Sequence, residues 1–311
     1  MRQIDARGAR ESQIGLFRMQ IGLIGLGKMG AGMARRLVAG GHDVVGFDLD
    51  EAARTAAETD GARAVATLDE LIAALDGPRV LWVMLPPGDV TSAVIAQLAQ
   101  KAQPGDLVVD GGNSDFRDAP TRRETLAASG VRFADVGVSG GQWGWKNGYG
   151  LMVGAASDDF ARLEPVLRTL SHDDGYARVG DVGAGHLVKA VHNGVQYGIL
   201  QAYAEGFSVL AAHPEIDALE GLRAWQQGSS VRSWLLENMI AALEGDTDLE
   251  GVGVEVSDSG MGRWTTEEAV RLGIPVPVMT VALYERFASR GNADIGRRLL
   301  VASRKQIGGH A

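Results

Sequence analysis

Lys189, His192, Asn193 and Gln196 recur at i, i+3, i+4 and i+7 in "KAVHNGVQYG". At roughly 100° per residue this spacing gathers all four within an arc of about 100° on one helix. Apolar residues fill most of the remainder, here and in the continuation "ILQAYAEGFSVLAA", so the helix is expected to turn its polar groups towards something inside the protein. Lysine and histidine exchange protons and amides hold polar groups in place, which equips such a face for work on a small bound molecule. A second constellation lies near the start. Gly25, Gly27 and Gly30 form G-x-G-x-x-G, with Leu26, Lys28 and Met29 completing the turn, and Asp48 follows about twenty residues on. Glycines there let the backbone approach a pyrophosphate at a helix N-terminus, and a carboxylate at the end of the next strand accepts bonds from a ribose diol.

The elements that must hold these residues can be read from the same pattern. From Met19 the chain runs as an apolar strand, a glycine turn, a helix and a second strand, and the strands continue as "VLWVMLP", "LVVDGG" and "RFADVGVSGG". Helical segments such as "LDELIAALDG", "VTSAVIAQLAQ" and "TRRETLAASG" separate them, so the expected fold class is α/β, a Rossmann-type, doubly wound parallel sheet. Near residue 180 the strands stop. The rest reads as helices broken by "HPE", "GDTDLEGVGVEVSDSGMG" and "GIPVP", with "TTEE" before "AVRLG" as a capping signal and "SRGNAD" between the last two helices. The expected division is an N-terminal extension at 1–18, a dinucleotide-binding domain at 19–180 and an all-helical substrate and oligomerisation domain at 181–311.

With Asp48 at the ribose, NAD is the expected cofactor, because a carboxylate repels the extra phosphate of NADP and no arginine follows it directly; Arg54 can reach back, so NADP is the second choice. Leu85 and Pro86, in "MLPPGD", should end a strand beside the cofactor, where the prolines shape a turn whose amides contact it. The net charge of −9 over 311 residues argues against nucleic acid and anionic membranes as partners, which leaves a small molecule. Absence of cysteine removes thiol chemistry, disulfides and Cys-ligated metals. No apolar run approaches the roughly 20 residues of a membrane span, and "MRQIDARGARESQIGLFR" lacks the apolar centre of a secretory signal, so a cytoplasmic location is expected. His42, His172, His186 and His213 show no metal-ligand spacing, and no metal is expected.

Two further glycine-rich stretches end strands, "DGGNSDFRD" at 110–118 and "GVSGGQWGWKNGYG" at 137–150. Together with the glycine turn and "KAVHNG", they resemble in order and spacing the decarboxylating 6-phosphogluconate dehydrogenases of the β-hydroxyacid dehydrogenase superfamily, in their short, NAD-preferring form. The resemblance runs from about Met19 to the C-terminus. It implies oxidation of 6-phosphogluconate followed by loss of carbon dioxide, giving ribulose 5-phosphate and reduced NAD, a step of the pentose phosphate pathway. Lys189 matches the family's base, a neutral amine that takes the 3-hydroxyl proton. Asn113, Ser139, Gly140, Gly141, His192 and Asn193 match positions that hold the sugar acid, with Asn113 also beside the cofactor. Tyr197, Arg286, Arg304 and His310 match phosphate ligands, the last two in a tail that reaches the neighbouring subunit's site, which implies a homodimer or homotetramer.

Two positions depart from the family pattern. Ser259 stands where the long form has a phosphate-binding lysine, with Arg263 nearby as a substitute. Gln196 stands where the family has a glutamate that protonates C1 after decarboxylation, and an amide cannot deliver that proton; Glu205, nine residues on, falls about 180° around the helix. Turnover slowed by the missing acid is therefore expected. Two other readings are a non-decarboxylating β-hydroxyacid dehydrogenase or imine-type reductase, and a catalytically silent NAD-binding protein. Trp143 and Trp145 either anchor their loop or close over substrate.

Overall fold

The apolar run "QIGLI" forms β1 (Gln20–Ile24), and Gly25 then turns the chain with a φ of 97° into α1 (Lys28–Ala39). These come from a computed structural model that describes residues 18–246, 249–291 and 294–308, with side chains described up to Arg304. β2 (Asp43–Phe47) completes the first βαβ unit, and α2 (Glu51–Thr59) starts where the Asp50 carboxylate caps Ala52 N–H. After β3 (Arg63–Val65), Thr67 and Glu70 form a reciprocal capping box that opens α3 (Leu68–Ala73). β4 (Val80–Val83), α4 (Asp89–Lys101), β5 (Leu107–Asp110), α5 (Ala119–Ala127) and β6 (Arg132–Ser139) continue the alternation.

A short helix, α6 (Gly144–Asn147), leads into β7 (Tyr149–Gly154), α7 (Ser157–Leu170) and β8 (Ser171–Gly180). The sheet order is β3-β2-β1-β4-β5-β6-β7-β8. Its first six strands are parallel in the doubly wound order, as expected. The sheet is nevertheless mixed, because β7 runs antiparallel to β6. In "YGLMVG" glycines interrupt the apolar residues, which hides the strand from a periodicity reading. Apolar clusters cover both faces: Leu23, Met33, Trp82 and Leu167 lie in one, Ile24, Leu81, Leu98 and Phe133 in the other.

Among the described residues, helices alone follow β8. They are α8 (Ala184–Ala211), α9 (Ala218–Gln226), α10 (Trp234–Gly245), α11 (Met261–Leu272), α12 (Pro277–Ser289) and α13 (Asp294–Gly308). Contacts divide the chain into two units, one up to Ala190 and one from Val191. The second has small cores of its own, with Leu222, Leu236, Ile240 and Leu243 in one and Tyr197, Ala282 and Leu283 in the other. "TTEE" proves not to start a helix: α11 already begins at Met261, after Gly260 at a φ of 91°. The hydroxyls of Thr265 and Thr266 instead donate to the carbonyls of Met261 and Gly262 one turn back, the bond such side chains make inside a helix.

Candidate active site

The first unit places the predicted cofactor residues at the carboxyl ends of β1, β2 and β4. A Cβ on Gly25 would lie 2.6 Å from the Met84 carbonyl, and one on Gly30 would lie 2.0 Å from the Gly25 carbonyl, so neither position admits a side chain. Gly27 faces open space, with nothing within 4 Å of a Cβ there. Helix α1 starts at this point without a side-chain cap or an acidic residue in its first turn, which leaves its amides and positive dipole end for an anion. The turn therefore fits a dinucleotide pyrophosphate. Lys28 is exposed, Met29 and Leu85 are half-buried, and the Leu85 side chain lies against the Gly25 turn. Pro86 is exposed, and its carbonyl accepts from Thr91 Oγ1 at 2.7 Å.

Asp48 closes this end. Its carboxylate accepts from Leu26 N at 2.7 Å and Asp50 N at 2.9 Å, one oxygen each, which fixes it beside the glycine turn with lone pairs to spare for hydroxyls. Arg54 does reach back, but to the backbone: its guanidinium donates to the Asp48 carbonyl at 2.8 Å and the Leu49 carbonyl at 3.0 Å.

Next along the rim come the loops after β5 and β6. Asn113 adopts a φ of 54°, and its amide spans to β6, donating to the Val138 carbonyl at 3.0 Å and accepting from Val138 N at 2.8 Å. Asn113 thus holds the strand that delivers Ser139, Gly140 and Gly141, a clamp absent from the sequence expectation. Gly140 and Gly141 take φ values of 132° and 54° that L side chains rarely adopt. Trp145 anchors its loop, with its carbonyl bonded to Arg36 at 3.3 Å and its ring 3.9 Å from the Arg35 guanidinium carbon, while Trp143 is exposed.

Lys189 sits one turn into α8 and is only 5% exposed. Burial lowers its pKa from 10.5 to about 8, so a neutral amine is accessible near neutral pH. It packs where β6 has no side chain, since a Cβ on Gly137 would lie 2.4 Å from Lys189 Cβ. Sequence reasoning missed what lies beneath this turn. Asp135 is fully buried and accepts from Gly183 N at 2.5 Å and His186 N at 2.7 Å. His186 is buried too, with Nε2 3.1 Å from the Asp110 carbonyl, while the Asp110 carboxylate pairs with buried Arg122 at 2.5 Å. Acidic residues inside otherwise apolar strands, in "FADVG" and "LVVDGG", were the available signal.

In the second unit α8 continues with the other predicted residues. His192 is exposed, with Nδ1 3.0 Å from Asn193 Oδ1, and the Asn193 amide lies 2.9 Å from Met261 Sδ. Gln196 is half-buried. Tyr197 is buried, accepts from Ser259 N at 3.4 Å and lies under the Arg286 guanidinium, whose carbon is 3.7 Å from the ring centre. Arg286 also donates to the Ser257 carbonyl at 2.6 Å, so Tyr197, Ser259 and Arg286 form one cluster. Arg263 does not fill the place of a lysine at 259: Asp258 engages it through two bonds, at 3.1 and 2.9 Å. Arg304 is exposed on α13, and His310 lies outside the described residues.

Comparison with known proteins identifies the family. The NAD binding domain of 6-phosphogluconate dehydrogenase matches residues 20–183, and the C-terminal domain of the same enzyme matches residues 185–304. A Haloferax volcanii protein named as an NAD(+)-dependent, decarboxylating 6-phosphogluconate dehydrogenase is 39% identical over 94% of this chain and 98% of its own. The Plasmodium falciparum 6-phosphogluconate dehydrogenase, solved with NADP+ and with 6-phosphogluconate, superposes with a TM-score of 0.80 at 25% identity, covering 93% of this chain and 65% of that one. Mycobacterium tuberculosis 3-hydroxyisobutyrate dehydrogenase gives a TM-score of 0.71 at 25% identity, over 89% of this chain and 94% of that one. With a dinucleotide turn at one end of the rim and a buried lysine at the other, the chain belongs to the 6-phosphogluconate dehydrogenase family and is an NAD(P)-dependent dehydrogenase.

Proposed function

We propose that the protein oxidises 6-phosphogluconate to ribulose 5-phosphate and carbon dioxide, with NAD as its preferred oxidant. The observation that carries this reading is Lys189, buried against β6 at Gly137 and with its pKa lowered to about 8. In its neutral form Lys189 takes the proton from the substrate 3-hydroxyl. The bound dinucleotide supplies the hydride acceptor. Once C3 is a ketone, the neighbouring carboxylate leaves as carbon dioxide and its electron pair moves towards the ketone oxygen, where protonated Lys189 stabilises the charge. Ser139, the Gly140–Gly141 backbone, His192 and Asn193 orient the sugar acid, and Asn113 holds its loop. C1 must then gain a proton; Gln196 cannot give one, so water or Lys189 supplies it and this step limits turnover.

Asp48 supports NAD over NADP, because its carboxylate is fixed beside the glycine turn and Arg54 donates to backbone carbonyls. The Arg286 and Tyr197 cluster is suited to a phosphate, with Arg304 and His310 contributed by a neighbouring copy in a homodimer or homotetramer. The test is to mix the protein with 6-phosphogluconate and either NAD or NADP and to follow reduced cofactor and carbon dioxide together. Equal yields of both, faster with NAD, are expected. Reduced cofactor without gas would overturn decarboxylation and favour a plain β-hydroxyacid dehydrogenase, the reading to which Ser259 and the 3-hydroxyisobutyrate dehydrogenase likeness lend support.

A further inference from the structure

Helix α8 begins at Ala184, and the residue before it, Gly183, has a φ of 96° and no side chain with which to cap. A helix start normally takes a hydroxyl or carboxylate from its own N-cap residue to satisfy the first free amides. Here the carboxylate comes from Asp135, 48 residues before Gly183 in sequence: Oδ1 accepts from Gly183 N at 2.5 Å and Oδ2 from His186 N at 2.7 Å. Glycines clear the space this requires. Asp135 pairs with Gly154 on β7, where a Cβ would lie 2.3 Å from Asp135 Oδ1. On the helix, a Cβ at Gly185 would lie 2.6 Å from the Asp135 carbonyl and 2.5 Å from the Met152 carbonyl. On β6, Gly137 receives the stem of Lys189 two residues along from Asp135. Asp135, Gly137, Gly154 and Gly185 together form a seat for the first turn of α8.

We infer that Asp135 is a positioning residue for the reaction: it caps α8 from across the sheet and so fixes the depth at which Lys189 meets the substrate. The inference rests on the reading of Lys189 as the base. The Asp135 carboxylate bonds to the backbone amides of Gly183 and His186, and it acts through the backbone of the turn that carries the lysine. The other titratable and charged groups around it are His186 on α8, whose Nδ1 is 4.0 Å from Oδ2, and Asp110 on β5, itself paired with Arg122 from α5. Burial is what lowers the lysine pKa, so a turn that lifts from its seat and admits water should move that pKa back towards 10.5.

The experiment compares Asp135→Asn, which keeps the shape but offers one acceptor oxygen to two amides, with Asp135→Ser, which is too short to reach both. Asp106→Asn is the control, since Asp106 is likewise buried and accepts from Arg79 N at 2.7 Å and Gln103 N at 2.9 Å, at the opposite end of β5. Two quantities are read: kcat and KM with 6-phosphogluconate, and the titration midpoint of Lys189 followed by NMR of lysine labelled at Cε. Loss of the cap should lower kcat by about 10- to 100-fold with KM changed less than about threefold, the pattern of a misplaced reacting group. The Lys189 midpoint should rise from about 8 in both Asp135 variants and stay in place in the control. An unchanged midpoint in a folded Asp135 variant overturns the inference, as does an Asp106→Asn protein that loses turnover as much. The midpoint requires no turnover, so an unaltered protein inactive on every sugar acid would refute the proposed reaction while leaving the cap to be judged by titration.

Discussion

At the scale of single residues, the proposed chemistry turns on two side chains of α8. Lys189 has its pKa lowered to about 8 by burial, so it is increasingly protonated below that pH and cannot then accept the substrate proton. kcat/KM should therefore fall by about tenfold per pH unit below about pH 8, and stopped-flow measurement of reduced NAD across pH 6 to 9 checks it. Lys189→Gln should remove the acid limb together with nearly all activity. In the proposed reaction Gln196 leaves the later proton to another donor. Replacing it by glutamate should raise the rate of carbon dioxide release by about 10²-fold or more, the usual worth of a general acid. Equal rates for the two proteins, measured side by side, would show that C1 receives its proton from elsewhere.

Elements matter where they come closer than side chains allow. Helix α8 lies on β6 at Gly137, and a methyl group there would lie 2.4 Å from Lys189 Cβ and 2.7 Å from the Gly185 carbonyl. Backbone and a helix stem cannot yield as a flexible chain end does, so Gly137→Ala should push the first turn away from the sheet. A loss of about 1 to 3 kcal/mol in urea unfolding is expected, with turnover reduced and NAD affinity kept, because the glycine turn at Gly25 belongs to other strands. Gly27→Ala makes the contrast: its Cβ meets nothing within 4 Å, so stability should hold and only cofactor affinity should suffer, as titration calorimetry can show.

For the whole molecule, stability and assembly are the relevant quantities. His42 joins the start of β1 to α7, accepting from Met19 N at 3.2 Å through Nδ1 while Nε2 lies 2.8 Å from Thr169 Oγ1. Burial lowers its pKa below 6.5, and a proton on Nδ1 would oppose the Met19 amide. The folded pKa lies under the unfolded one, so this contribution is complete above about 6.5 and is lost as pH falls through the folded value. Melting temperature should drop on acidification in that window, and the drop should shrink in His42→Gln. Assembly is expected from the helical unit, where Val209, Val270, Val278, Ile295 and Leu299 are each more than 60% exposed. Light scattering should return at least twice the mass of one chain.

Much of this arrangement was determined locally and could be read from the sequence. The strand, glycine turn and helix around Gly25, the carboxylate at Asp48 and the helix that carries Lys189 follow from periodicity and from the φ freedom of glycine, which operate over a few residues. Tertiary structure decided what depends on partners far along the chain. The cap of α8 arrives from Asp135, Asn113 spends its amide on Val138, and Asp258 takes Arg263 out of contention for a phosphate. Strand β7 joins the sheet antiparallel although glycines break its pattern, because β6 offers it an open edge. Hydrogen bonding and burial choose among side chains by proximity in space, and the lysine pKa in particular comes from the packing around it rather than from its neighbours in sequence.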